Sequence, residues 1–146
     1  VNRSGVKVYE SNFNAGSYNY DATDLTALVP ELGSPGIVRM AAHRQPDTRI
    51  HCVKSDGTVM MALSDKNEDV LAWVNIDTDG LIEDVVTLPA ITGNTDDQVY
   101  YVVNRTINGA TVRYLEKWRK KQNAVAISLI SRLIHSCHIL ELLLQI

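Results

Sequence analysis

Cysteine is scarce. Cys52 and Cys137 are the only two in 146 residues, far apart and without the dense, even spacing of a secreted disulfide framework. Both are read as reduced thiols. An excess of positive charge is also missing, since 14 Lys and Arg stand against 17 Asp and Glu for a net charge of −3. No global basic field would draw the chain to nucleic acid, so non-specific DNA binding is disfavoured. Val1-Asn2-Arg3-Ser4-Gly5 runs into Lys7, Glu10 and Asn12 without an apolar core, so no signal peptide is read and synthesis in the cytosol is expected. Val1 nevertheless falls inside what reads as a strand-rich segment. A missing upstream portion or a non-standard start codon is the expectation. Also lacking are a Gly-x-Ser-x-Gly elbow, a phosphate-cradling glycine loop and a His-Glu-x-x-His pair, so catalysis has no visible support.

What is present is a succession of short strands. A chain of 146 residues is long enough for one domain with a real core. Residues 6–10 read as a strand, and Asn12, Asn14, Gly16, Ser17 and Asn19 then oppose regular structure. Asp21 offers an N-cap and Pro30 a stop, which predicts a short helix between them. After Ser34-Pro35-Gly36 the pattern turns to strands over 37–43, 49–54, 58–64, 70–77, 81–88, 99–106 and 110–118. Polar breaks of about four residues separate most of them, so consecutive strands are expected to pair antiparallel. Val59, Met61 and Leu63 alternate with Met60 and Ala62, which puts apolar side chains on both faces and predicts packing against further layers. The expected fold is mainly β, an antiparallel meander of propeller-blade or sandwich type. Its divisions are an irregular segment over 1–36, a β domain over 37–118 and an apolar helical tail over 119–146.

The clearest local signal is Ile107-Asn108-Gly109 between two β-branched and aromatic runs, because an Asn-Gly pair accepts positive φ at both central positions of a tight hairpin. With Asp97, Arg44-Gln45-Pro46-Asp47-Thr48-Arg49-Ile50-His51-Cys52-Val53 and Ser55-Asp56-Gly57-Thr58, this hairpin resembles the β-rich tail proteins of double-stranded DNA bacteriophages. The likeness is nearest to large virion proteins of short-tailed phages, of tail-tube, nozzle or DNA-stabilising type, and runs from about residue 5 to 118. It implies a structural role in a virion as a fragment of a longer protein, with other tail subunits or further copies as partners. It also implies a propeller-like meander, with 49–88 supplying most of one blade and 98–118 starting the next. DNA passing through the intact tail is compatible with it, whereas specific nucleic-acid binding and membrane partners are not expected.

From Ala124 onward the chain contains no Gly, Pro, Asp or aromatic residue and reads as one helix, apolar around most of its circumference. Arg132, His135, His138 and Glu141 interrupt it, which argues against a membrane span. Back-translation offers a different account. Restoring one nucleotide after the Trp118 codon permits Trp-Ala-Lys-Lys-Ala-Glu-Cys-Arg-Gly followed by Ala-Asp-Ser-Phe, phrases that resemble the stretch C-terminal to the hairpin in the phage proteins. An out-of-frame terminus is therefore the hypothesis, and the gene's nucleotide sequence tests it.

Candidate chemistry is thin elsewhere. Asp77-Thr78-Asp79-Gly80 begins like a calcium loop, but its twelfth position is Leu88, so a β-turn is expected. His135, Cys137 and His138 cannot all face one metal from a single helix. His51 and Cys52 are neighbours on a strand and point to opposite faces, which excludes a nucleophile-base pair and predicts a core Cys beside a surface His. No catalytic, metal or cofactor residue is assigned. Arg39, His43, Arg44 and Arg49 form one basic group, and Arg105, Arg113, Lys117, Arg119, Lys120 and Lys121 a second, read as edge-strand charges or, in an intact tail, as lining a DNA channel or meeting an acidic subunit. The interface candidates are Arg44, Asp47, Arg49, Trp73, Tyr100, Tyr101, Arg105, Arg113, Tyr114 and Trp118. The alternative function is a binding module presenting Tyr and Trp to a host surface glycan or protein, and a propeller-type hydrolase ranks last.

Overall fold

The structure is a computed structural model that describes residues 5–91 and 96–119. Among these residues nine strands run in chain order: β1 (Tyr9–Asn14), β2 (Asn19–Asp24), β3 (Ile37–His43), β4 (Thr48–Lys54), β5 (Val59–Asp65), β6 (Val70–Ile76), β7 (Leu81–Leu88), β8 (Gln98–Ile107) and β9 (Ala110–Trp118). They form a hairpin β1-β2, a four-stranded sheet β3-β4-β5-β6 and a three-stranded sheet β7-β8-β9, every pairing antiparallel. The chain is mainly β, and neither larger sheet closes on itself. Of the expected helical tail over 119–146, all but Arg119 lies outside the described residues. Among the described residues, no helix is long and apolar enough to cross a membrane.

Alternation along β4 and β5 builds two cores on opposite faces of one sheet. Val53 and Val59 face Ile82, Val85, Val99, Tyr101 and Val103 of the three-stranded sheet, with Ala41, Ile76 and Trp118 at the margin. Cys52 and Met60 face the other way, onto Val8, Leu25 and Leu32 of the N-terminal segment, with Ile37, Ile50 and Trp73 alongside. Apolar residues on both faces of a strand therefore correspond to layers on both sides. Burying a side chain such as Met60 or Val53 completely contributes about 1.5–3 kcal/mol each. Gly33 seats the N-terminal layer, because a Cβ there would come within 1.8 Å of the Val6 carbonyl oxygen.

Three local expectations are corrected. The polar stretch after Tyr9 is a hairpin rather than irregular chain: Asn14 Oδ1 accepts from the N–H of Gly16 at 3.0 Å, closing the turn, and Phe13 packs edge-on against Tyr20 at 5.4 Å. The short helix predicted between Asp21 and Pro30 is absent. Residues 19–24 are strand, and Asp24 Oδ1 accepts from the Thr26 N–H at 2.9 Å and its hydroxyl at 2.7 Å, an Asx turn that competes with helix. Among the described residues, helical geometry is confined to a 3-10 turn, Pro30–Gly33. The third correction concerns the division into blades. The break at Asp77-Thr78-Asp79-Gly80 does not join paired neighbours: β6 closes the first sheet and β7 opens the second. Ile82 N–H donates to the Gly57 carbonyl at 2.9 Å, and Gly80 (φ +145°) lies so close to β8 that a Cβ would meet the Asn104 carbonyl at 2.6 Å, so the chain is led across to the other sheet.

The Asn-Gly hairpin forms as expected. Ile107 pairs with Ala110, leaving Asn108 (φ 51°) and Gly109 (φ 79°) as a two-residue loop of the twist that antiparallel strands favour.

Candidate functional site

The densest chemistry lies between the two larger sheets, at the end where β9 finishes. His43, Arg49 and His51 occupy alternate, paired positions of β3 and β4, which aim all three at the facing sheet. His43 Nδ1 and His51 Nε2 are 3.0 Å apart, and His51 Nδ1 lies 2.6 Å from the Tyr101 hydroxyl. This hydrogen-bonded chain joins β3 and β4 to β8 across the core. Trp118 closes it from β9, with its ring 5.4 Å from His51 and 5.7 Å from His43. The Arg49 guanidinium stacks 5.2 Å from the same indole and pairs with Asp47 at 2.5 Å. Its Nε is buried without a hydrogen-bond partner among the described residues.

His51 is 0% exposed, which corrects its expected place on the surface. The partner that draws it inward is Tyr101, fifty residues downstream. Burial, helped by the charges of His43 and Arg49, pulls the His51 imidazole from 6.5 down to about 4. Burial likewise raises the Tyr101 phenol well above its ordinary value and pushes the Cys52 thiol up to about 12. The thiol stays protonated and faces the opposite core, so Cys52 and His51 do not form a dyad. A neutral imidazole can donate at one nitrogen and accept at the other, which suits a relay between His43 and Tyr101. Enclosed in this way, the relay fixes how the sheets meet. Among the described residues, no group of three His, Cys, Asp or Glu side chains could hold a metal ion.

A second fastening lies next to it. Asp97 Oδ2 accepts from the backbone N–H of Arg44 at 2.9 Å and of Gln45 at 3.2 Å, while Oδ1 accepts from Ala90 N–H at 3.0 Å. One carboxylate therefore ties the β3-β4 turn to the start of β8. These backbone donors, Arg44 first, hold its carboxyl below the usual range.

The interface candidates separate by position. Arg49 and Tyr101 are buried in the relay, and Trp118 and Asp47 are half-buried beside it. Trp73 is half-buried on the opposite face, its indole N–H donating to the Leu25 carbonyl at 2.9 Å. Arg105 grips Glu116 with two hydrogen bonds of 2.6 and 3.0 Å, reaches the Thr78 hydroxyl at 3.0 Å and donates to the Asp79 carbonyl. That clamp holds the β6-β7 crossing against β8 and β9. Exposed Arg113 pairs with Glu83 at 2.7 Å, and the half-buried Tyr100 donates to Gln98 at 2.7 Å. Tyr114 is half-buried on β9, and Arg44 is exposed. The structure thus gathers Asp47, Arg49, Tyr101 and Trp118 into one cluster and leaves the rest dispersed. His51 and Asp97 were not among the interface candidates and His43 appeared only in a basic group, because the partners that reveal them are brought together by the fold: Tyr101 for His51, His51 for His43 and the Arg44-Gln45 backbone for Asp97.

The basic groups do not make a continuous stripe. Arg39 approaches Asp84 at 3.7 Å, and Arg49, Arg105 and Arg113 are each paired with a carboxylate. Lys120 and Lys121 lie outside the described residues. A groove of about 480 Å³ opens on the outer face of the four-stranded sheet, floored by Val8, Leu25, Met40 and Ile50. At its rim, Lys66 and Glu10 are paired with each other at 2.5 Å.

Comparison with known proteins finds no matching family and no matching curated protein.

Proposed function

We propose that this chain is a piece of a virion tail protein of a short-tailed bacteriophage and acts by assembling with further subunits. The resemblance carried by the Asn-Gly hairpin and the 44–58 phrases supports this reading. The observation that carries it is a pair of open antiparallel sheets with apolar side chains left outward. Val70, Leu71 and Val74 on β6, and Val86, Leu88 and Leu115 on the three-stranded sheet, are between 42% and 53% exposed. Apolar sheet surfaces of this kind mark places where another protein layer packs. In the intact protein the four-stranded meander would be one blade-like unit and β7-β8-β9 the beginning of the next, packed face to face. The pairing of Arg39, Arg49, Arg105 and Arg113 with carboxylates favours subunit contacts over a DNA-lining role.

The glycan-binding alternative is weaker, since Tyr101 and Trp118 are held between the sheets and the Trp73 N–H is already bonded. The assembly reading places the chain in virions, after synthesis in the bacterial cytoplasm. Mass spectrometry of density-purified particles from a lysogen carrying this gene tests it. Peptides spanning 5–119 are expected in the particle fraction, and their confinement to the soluble lysate would refute the proposal.

A further inference from the structure

The two larger sheets have four edge strands: β3 and β6 in one, β7 and β9 in the other. β3 and β7 lie beside each other where the sheets meet, and Arg39 reaches Asp84 across that seam. The remaining edges are β6, which pairs with β5 alone, and β9, which pairs with β8 alone, among the described residues. Each leaves a row of backbone donors and acceptors facing outward, and each is apolar. Val70, Leu71 and Val74 line β6, while Val112 and Leu115, at 40% and 53% exposed, line β9.

Charge distinguishes the two edges. From 65 to 79, around β6, five carboxylates (Asp65, Glu68, Asp69, Asp77, Asp79) stand against the single cation Lys66, itself paired with Glu10. From 110 to 119, three cations (Arg113, which is paired with Glu83, and Lys117 and Arg119) stand against Glu116, which is already gripped by Arg105. Lys117 and Arg119 have no carboxylate partner among the described residues, and both are exposed. A contact between two β6 edges would oppose acid to acid, and one between two β9 edges would oppose base to base. Like charges facing each other across an interface weaken it. Carboxylates flank β6 at both ends, so β9 meets opposite charge in either strand direction.

We infer, building on the assembly reading above, that the partner of this chain is a second copy of itself, with the β9 edge of one copy adding as a fifth strand to the β6 edge of the next. Because the two surfaces differ, the contact is head-to-tail and propagates beyond two copies. Main-chain hydrogen bonds supply the adhesion, and the flanking charges fix which edges meet.

The test uses two charge-altered full-length chains followed by sedimentation velocity. Lys117→Glu with Arg119→Glu makes β9 acidic, and Glu68→Lys with Asp69→Asn removes acid from β6. Asn is chosen at position 69 because φ there is 52° and Asn tolerates that conformation. The wild-type chain is expected to populate species larger than dimers. Each variant alone should associate at least about tenfold more weakly, with an unchanged far-UV circular dichroism spectrum. An equimolar mixture of the two variants should recover association as mixed pairs, since the unaltered β6 of the first then meets the unaltered β9 of the second. A wild-type chain that is monomeric or stops at dimers overturns the inference, as does association unaffected by either variant or a mixture that fails to recover. Any of those results would leave the presence of the chain in particles to be judged on its own.

Discussion

Acidification should loosen the seam between the sheets through one imidazole. His51 takes a proton near pH 6.5 in an exposed chain and only near pH 4 in the folded core. Between those values the unfolded state binds a proton that the native state refuses, so stability falls as pH falls through this window. A displacement of roughly 2.5 pKa units corresponds to about 3 kcal/mol in full, of which about 2 kcal/mol is lost between pH 7 and pH 5. With a urea dependence of about 1–3 kcal/mol per molar, the unfolding midpoint should drop by about 1 M. His51→Gln removes the titrating group while keeping an amide that can hydrogen-bond. The variant should be less stable at pH 7 but should lose clearly less than the wild type on going to pH 5. Equal losses in the two proteins would show that the relay does not govern the acid response, and a wild-type midpoint that is flat over this range would contradict a buried, neutral His51.

Three further outcomes are expected. Asp97→Ala removes three hydrogen bonds, to the backbone N–H groups of Arg44, Gln45 and Ala90, the first two open to water, and should cost about 1 kcal/mol in urea unfolding. Because the folded carboxyl titrates below the unfolded one, its contribution is complete above about pH 4 and disappears as pH falls through the lower folded value, so the gap between wild type and variant should narrow in stronger acid. Gly109→Val places a β-branched residue at φ +79° and should destabilise the protein by about 1–2 kcal/mol; an unchanged midpoint would contradict the two-residue turn. A chain ending at Trp118 retains all nine strands, so it should keep the β signature in far-UV circular dichroism and scatter less light than the full chain. Unfolding of the shortened chain would show that 119–146 is part of the core.

Signals confined to neighbouring residues were legible in the sequence. The Asn-Gly pair located the β8-β9 turn, and strand-length apolar runs between polar breaks located β3 to β9 within one or two residues. Alternation along β5 announced two buried faces, and the structure supplies a layer for each. What the sequence hid depends on distant partners. The 11–20 stretch looks like loop because Asn, Gly and Ser disfavour regular structure, yet Phe13 against Tyr20 and the Asn14 turn sustain a hairpin. A four-residue polar break reads the same whether the chain turns back or crosses to another sheet, so Asp77 to Gly80 gave no sign that β7 belongs with β8. His51 looked like a surface residue because Tyr101 and Trp118, which enclose it, lie fifty or more residues away.

Electron cryomicroscopy of tails from purified particles would show the assembly itself. Density for the two facing sheets of residues 5–119 is expected within the tail wall, repeated around it, with β6 and β9 each against a neighbouring subunit. A tail whose density has no place for this fold, or one in which both edges face solvent, would contradict that assembly.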